Sequence, residues 1–245
     1  MLINKDYFLE TNGLLSFAGG IVYPEPDVRR LQDLRHVLYQ DTPMDGSTPL
    51  YYMYRGVLRR QDLDTFSSHN IRYDITVLVP GTINREYIKT VGHFHPLKAN
   101  GCNTFPEYYE VMWGEAIYIL QKNSRSGDVE EIMAIEAQKG DKVFIPPNYG
   151  HITINSGDTP LVMCNLIEKN FSSLYEPFRD KKGAAYYYIQ GDNRKGEFVK
   201  NENYHNSVGL KMVAAPNLPQ PMDEVRNKTL YEAFIGNPAA FAILT

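Results

Sequence analysis

The sequence predicts an all-β protein, a sandwich or barrel, and three observations carry that prediction. Seven short runs are rich in Val, Ile, Tyr and Thr: residues 50–57, 73–80, 116–121, 141–146, 151–155, 161–167 and 184–190. β-branched and aromatic side chains suit a pleated, half-buried surface. Turn residues punctuate the runs at Pro80-Gly81, Asn123 to Gly127, Lys139-Gly140-Asp141 and Ser156-Gly157-Asp158, the last reading as a tight hairpin turn. No long helical period interrupts the series, which excludes a layered β/α arrangement.

The flanks read differently. Residues 1–48 form an N-terminal extension in which Asp27 precedes Val28, Leu31, Leu34 and Leu38, a spacing that predicts a short amphipathic helix capped by Asp27. Residues 49–190 hold the strands. Residues 191–245 form a C-terminal extension in which Pro216, Pro219 and Pro221 break regular structure. Asp223 then caps a helix that runs to Ile235 and is stopped by Gly236. The whole is expected to be a single domain, with the N-terminal extension packed on the barrel and the C-terminal one either covering the barrel or extending a dimer interface.

Composition excludes several function classes. A net charge of −4 and a pI near 5.9 offer no basic surplus for nucleic acid. No apolar stretch is long enough to span a membrane or to serve as a secretory signal, so a cytoplasmic location is expected. Cys102 and Cys164 are too few for a disulfide scaffold and read as free thiols.

Six histidines are present, and two of them form His93-Phe94-His95. On a strand, residues i and i+2 share a face, so both imidazoles can reach one point while Phe94 packs behind. Alone, the pair could equally be two core histidines satisfied by hydrogen bonds. His36, His69 and His205 sit in no motif and read as surface or structural residues; Glu130-Glu131 reads as a solvated hairpin face. Trp113, the single tryptophan, is expected to pack in the barrel.

Further residues lie in order around the pair. Glu107 is followed by Gly114; downstream come Gly140, Pro146-Pro147, His151 and Asn155. This pattern resembles the two motifs of the cupin superfamily, HxH…E…G and G…P…H…N. The resemblance implies a cupin fold (a double-stranded β-helix, or jelly-roll barrel) with short helices in the terminal extensions. It also implies one divalent metal per subunit on His93, His95, Glu107 and His151. Three imidazoles and one carboxylate suit iron first, with manganese, nickel or zinc as alternatives. The stretch from Pro96 to Phe105 is longer than the usual gap and must loop out before Glu107; Glu110 is the competing ligand in another register. Asn148 stands where the motif has glycine and tolerates the left-handed backbone a turn there needs.

A narrower resemblance covers about residues 15 to 190. Val28-Arg29-Arg30-Leu31, Pro49 to Tyr52, Thr76 to Gly81, Lys89 to His95 and Val143 to Pro147 are similar, in that order, to archaeal-type cupin glucose-6-phosphate isomerases. That family interconverts glucose 6-phosphate and fructose 6-phosphate in glycolysis and gluconeogenesis. For that reaction Glu107 is expected to act as the proton-transferring base, with a metal-assisted hydride shift as the rival route; the resemblance places Tyr52, Thr76, Thr90, Gly92 and Tyr109 around the sugar phosphate. It implies a homodimer. Two other readings use the same ligands: a ferrous-iron cupin dioxygenase and a non-enzymatic sugar-binding cupin.

Overall fold

Ten strands build two sheets whose inner faces meet. In chain order they are β1 (Asp27–Arg30), β2 (Pro49–Arg55), β3 (Ile71–Leu78), β4 (Glu107–Trp113), β5 (Glu115–Asn123), β6 (Val129–Gln138), β7 (Lys142–Ile145), β8 (Tyr149–Asn155), β9 (Leu161–Glu168) and β10 (Lys211–Ala214). A computed structural model describes residues 1–99, 101–193, 195–205, 208–215 and 223–245. One sheet has the order β7-β4-β9-β3-β2-β1 and the other β8-β5-β6-β10. Every pairing within them is antiparallel except β6 with β10. The result is the all-β, two-sheet arrangement expected from the sequence.

Period-two alternation sorts each strand into two faces. Tyr109, Val111 and Met163 from the first sheet meet Tyr118, Leu120 and Ile135 from the second in one buried cluster. The outward residues of the first sheet, among them Tyr73, Ile75, Tyr108 and Cys164, are covered by Tyr7, Leu9 and Leu15 and by Leu230, Phe234 and Phe241. Outward residues of the second sheet, Ile117, Ile119, Ile152 and Ile154, lie under Phe178, Ala184 and Tyr204. Strands such as β9 are therefore buried on both sides and read as continuous apolar runs.

Several expectations need correction. Asp27 does not cap a helix; it opens β1, pairing with Met53, and a single turn of helix (Leu31–Leu34) starts only after Arg30. Leu31 and Leu34 are fully buried, so the apolar spacing reports one helical turn plus the 3-10 turn Arg35–Val37 rather than a longer helix. Ser156-Gly157-Asp158 is not a hairpin: it carries the chain from β8 in one sheet to β9 in the other. The terminal helix runs from Leu230 to Gly236 and is capped by Thr229, whose side chain accepts from the Glu232 N–H. Asp223 instead begins a 3-10 turn. Trp113 is half-buried at the end of β4 on the outward side, with Lys139 Nζ 4.9 Å above its ring. Pro216, Pro219 and Pro221 lie outside the described residues.

The terminal helix docks on β4 through Glu110, which faces outward. Its Oε2 accepts from the Leu230 N–H at 2.7 Å, and Lys142 Nζ lies 3.6 Å from Oε1. Burial pushes this carboxyl above its ordinary value, against the pull of Lys142. The folded state therefore holds the proton to higher pH than the unfolded chain, and the stability this gives falls away as pH rises through the raised value. Glu110→Ala leaves the Leu230 N–H buried without its acceptor and is expected to cost about 2 kcal/mol in urea unfolding at pH 7.

Candidate metal centre and cavity

The His93-Phe94-His95 segment is extended but belongs to no named strand. His93 makes a two-residue bridge with His151 on β8, each N–H donating to the other's carbonyl at 3.1 and 3.0 Å. This bridge brings the segment against the inner edge of the second sheet. Gly92, just before it, adopts φ +77°, and an added Cβ would lie 2.3 Å from Ile152 Cγ1 and 3.1 Å from the His151 carbonyl oxygen. Glycine is what lets the two backbones approach so closely. Phe94 points the other way, against Phe178 at 4.9 Å between ring centroids.

Glu107 enters from the opposite sheet as the first residue of β4. The side-chain ligand atoms of His93, His95, Glu107 and His151 all lie within 4.8 Å of one another. Nε2 of His93 is 3.1 Å from Nε2 of His95, and Glu107 Oε2 is 3.4 Å from His95 Nε2 and 3.2 Å from His151 Nε2. Two ligand atoms about 2.1 Å from one ion and at right angles sit about 3.0 Å apart, so these spacings suit a single coordination shell. Glu110, the competing ligand, lies on the other face of β4 and takes no part.

The donors themselves fit a cation. His95 Nδ1 lies 2.7 Å from the Phe105 carbonyl oxygen, so Nδ1 carries the hydrogen and Nε2 presents a bare lone pair. Asn165 Nδ2 donates to Glu107 Oε1 at 2.7 Å and fixes the carboxylate, leaving Oε2 buried with no hydrogen-bond donor among the described residues. Lone pairs thus converge on one buried point, with Glu107 Oε2 lacking a protein partner, the environment that a divalent ion relieves. Burial, with the neighbouring His151 and His95, holds His93 well below the usual histidine range; burial likewise lowers His151. Burial alone would raise Glu107, but the His151 and His95 rings beside it outweigh burial and hold the carboxyl well below its ordinary value. His93 and His151 are thereby held neutral and the Glu107 carboxylate ionised, the protonation states that ligate metals.

The cluster closes one wall of a cavity of about 320 Å³. Thr76, Thr90, Gly92 and Tyr109 all line it, and the Tyr109 hydroxyl is 3.2 Å from His151 Nε2. Tyr52 does not. It sits on the outward face of β2, half-buried beside Gly13, while its neighbour Tyr51 lines the cavity and receives the Val91 N–H at 3.3 Å. In a strand a slip of one residue reverses the face, and the run Tyr51-Tyr52 offers no pattern to choose between them. Sequence reasoning also missed Asn165, Arg55, Arg72 and Asp74, all at the cavity. The alternation Arg72, Asp74, Thr76 along one apolar strand was the available signal.

The long loop before Glu107 folds back on the site. Phe105 stacks on Phe171 at 5.0 Å, and Phe171 packs 4.7 Å from the His95 ring. Asn148, at φ +72°, donates its N–H to Thr104 Oγ1 at 2.6 Å and accepts the Thr104 N–H at 3.2 Å. It does not line the cavity; it ties the loop to the turn before β8. Tyr149 bonds Glu131 Oε2 at 2.6 Å, so Glu131 is half-buried and engaged, while Glu130 is solvated. His36, His69 and His205 are exposed.

Comparison with known proteins agrees with this geometry. The family model described as glucose-6-phosphate isomerase (GPI) matches residues 28–207. The glucose-6-phosphate isomerase of Thermococcus litoralis is 26% identical over 173 residues, covering 68% of this chain and 83% of that one. That of Pyrococcus horikoshii is 25% identical over 183 residues, covering 73% and 88%. Among solved structures, an oxalate oxidase is 19% identical with a TM-score of 0.34, over 43% of this chain and 45% of that one. A variant of Bacillus subtilis oxalate decarboxylase is 19% identical with a TM-score of 0.37, over 56% and 30%. A family match over residues 28–207, which hold every residue of the His-Glu cluster, assigns the chain: it belongs to the glucose-6-phosphate isomerase family.

Proposed function

We propose that the protein is a metal-dependent aldose-ketose isomerase that interconverts glucose 6-phosphate and fructose 6-phosphate, a step of glycolysis and gluconeogenesis. The observation that carries this reading is a cluster of three imidazoles and one carboxylate opening into a cavity that also presents hydroxyl and N–H donors. His93, His95, Glu107 and His151 would hold the ion, iron first among the candidates. When bound, it would supply Lewis-acid polarisation of the substrate carbonyl.

The chain's own groups account for the rest. Glu107 stays ionised and is fixed through Oε1 by Asn165; in this reading its carboxylate both holds the ion and takes a proton from one sugar carbon to return it to the next, or shifts between the two roles. Tyr109 stays protonated, since burial and nearby Glu107 push its hydroxyl well up, and it can donate to a sugar oxygen. The Gly92 N–H has no protein acceptor among the described residues and, with Thr76 and Thr90, offers donors to phosphate. A cytoplasmic homodimer belongs to this reading on the family's account alone. Among the described residues no helix is long and apolar enough to cross a membrane.

Purified protein supplied with divalent metal under nitrogen is expected to convert fructose 6-phosphate to glucose 6-phosphate. Chelation with EDTA should remove at least about nine-tenths of the turnover, and added metal should restore it. Loss of substrate C2 tritium to water would support proton transfer through Glu107. Full retention would remove that role, and absence of turnover with every metal would sink the isomerase reading.

A further inference from the structure

Thr76, Thr90 and Gly92 are neutral, whereas a phosphate monoester near pH 7 carries between one and two negative charges. Drawing that charge out of water against neutral donors alone is costly. The same cavity contains two guanidinium groups, Arg55 on β2 and Arg72 on β3. Both are anchored at their base. Arg55 Nε donates to Asp27 Oδ2 at 2.9 Å, and Arg72 Nε donates to Asp74 Oδ1 and Oδ2 at 2.8 and 3.0 Å.

The outer ends are less committed. Arg55 Nη2 meets only the Met53 sulfur at 3.6 Å, and Arg72 Nη1 donates to the Lys169 carbonyl at 3.2 Å. Arg55 Nη1 and Arg72 Nη2 have no protein acceptor among the described residues. Sheet register sets Arg55 beside Asp74, two residues along β3 from both Arg72 and Thr76. The carboxylate holding Arg55 is on the sheet's edge strand and 62% exposed, so solvent and salt screen it while Arg55 faces the cavity. A guanidinium fixed through Nε with free Nη donors is pre-organised for an oxyanion.

We propose that Arg55 and Arg72 form a two-arginine clamp that recognises the phosphate group and makes it the specificity handle of the cavity. This inference rests on the reading that the cavity takes a sugar phosphate. The test is calorimetric binding of glucitol 6-phosphate, which cannot isomerise, and of glucitol, to metal-loaded wild type, Arg55→Gln, Arg72→Gln and Arg55→Lys. Each glutamine variant is expected to lose about tenfold or more in affinity for glucitol 6-phosphate, with a shallower salt dependence, while metal content and glucitol binding stay unchanged. Arg55→Lys should fall between, since it keeps the charge and loses the fork. If Arg72→Gln leaves Asp74 unpaired and fails to fold, the solvent-facing Arg55 pair decides alone. Wild-type affinity for glucitol 6-phosphate in the Arg55 variants would overturn the clamp and leave the isomerase reading standing. No preference of the wild type for the phosphorylated polyol would overturn both.

Discussion

Replacing Glu107 by glutamine is expected to lower divalent-metal affinity by at least about 100-fold and to remove isomerase turnover with it. Loss of an outer partner of a metal ligand already costs 10–100-fold, and Glu107 is itself proposed as a ligand. The substitution keeps the shape and lets Oε1 still accept from Asn165, so the fold is retained. What goes is the single negative charge among four ligands, and with it the proton acceptor. Metal titration and circular dichroism separate the two effects. Unchanged metal affinity in Glu107→Gln would mean that the carboxylate is not a ligand. The wild type also makes a prediction in pH. His93 and His151 are held below the ordinary histidine value of 6.5 and Glu107 below the carboxylate range. Groups with lowered proton affinity need expel no proton to bind metal between 6.5 and their lowered values. Metal should therefore remain bound below pH 6.5, and dissociate only as pH falls through the lowered values.

Much of this site is legible in the sequence because its chemistry is local. His93 and His95 are two residues apart, Glu107 and Gly114 share a strand and its exit, and the Gly140 to Asn155 stretch is β7 and β8 with the turn between them. What the sequence hides is what depends on facing. Tyr51 and Tyr52 are chemically alike, and only the register of β2 against β3 decides which sees the cavity. Two of the central strands escaped notice for related reasons. β4 begins Glu-Tyr-Tyr-Glu, with a carboxylate on each face, because one serves the metal cluster and the other receives the Leu230 N–H. β6, Val-Glu-Glu-Ile-Met-Ala-Ile-Glu-Ala-Gln, is rich in helix formers and is held as a strand by pairing with β5 along its whole length. The Asp27 and Asp223 caps failed for the opposite reason. An aspartate before an apolar residue fits a cap, but the backbone at Asp27 is already paired with β2.

Gly92→Ala is expected to be strongly damaging, costing about 3 kcal/mol or more. Two penalties add at this position. A φ of +77° places an L side chain in the left-handed region, which costs roughly 1–2 kcal/mol. The new methyl would also lie 2.3 Å from Ile152 Cγ1 and 2.9 Å from its Cδ1, an overpacking worth about 1–3 kcal/mol. Ile152 cannot turn away freely, because it is buried with Ile117 and Ile119 under Phe178. The strain is relieved instead by moving the backbone of residues 91–93 away from β8, since the methyl also presses on the His151 carbonyl at 3.1 Å. That motion opens the His93–His151 bridge and separates ligands contributed by the two segments. Thermal unfolding of the metal-free protein reports the packing cost, and metal titration reports the displacement of His93. Both should change together. Ile152→Val removes Cδ1 but keeps the nearer Cγ1, so in the double variant it should return only a small part of the stability and little of the metal affinity, because the φ strain remains. A Gly92→Ala protein with wild-type stability and metal affinity would show that the close approach of residues 91–93 to β8 does not hold the site together.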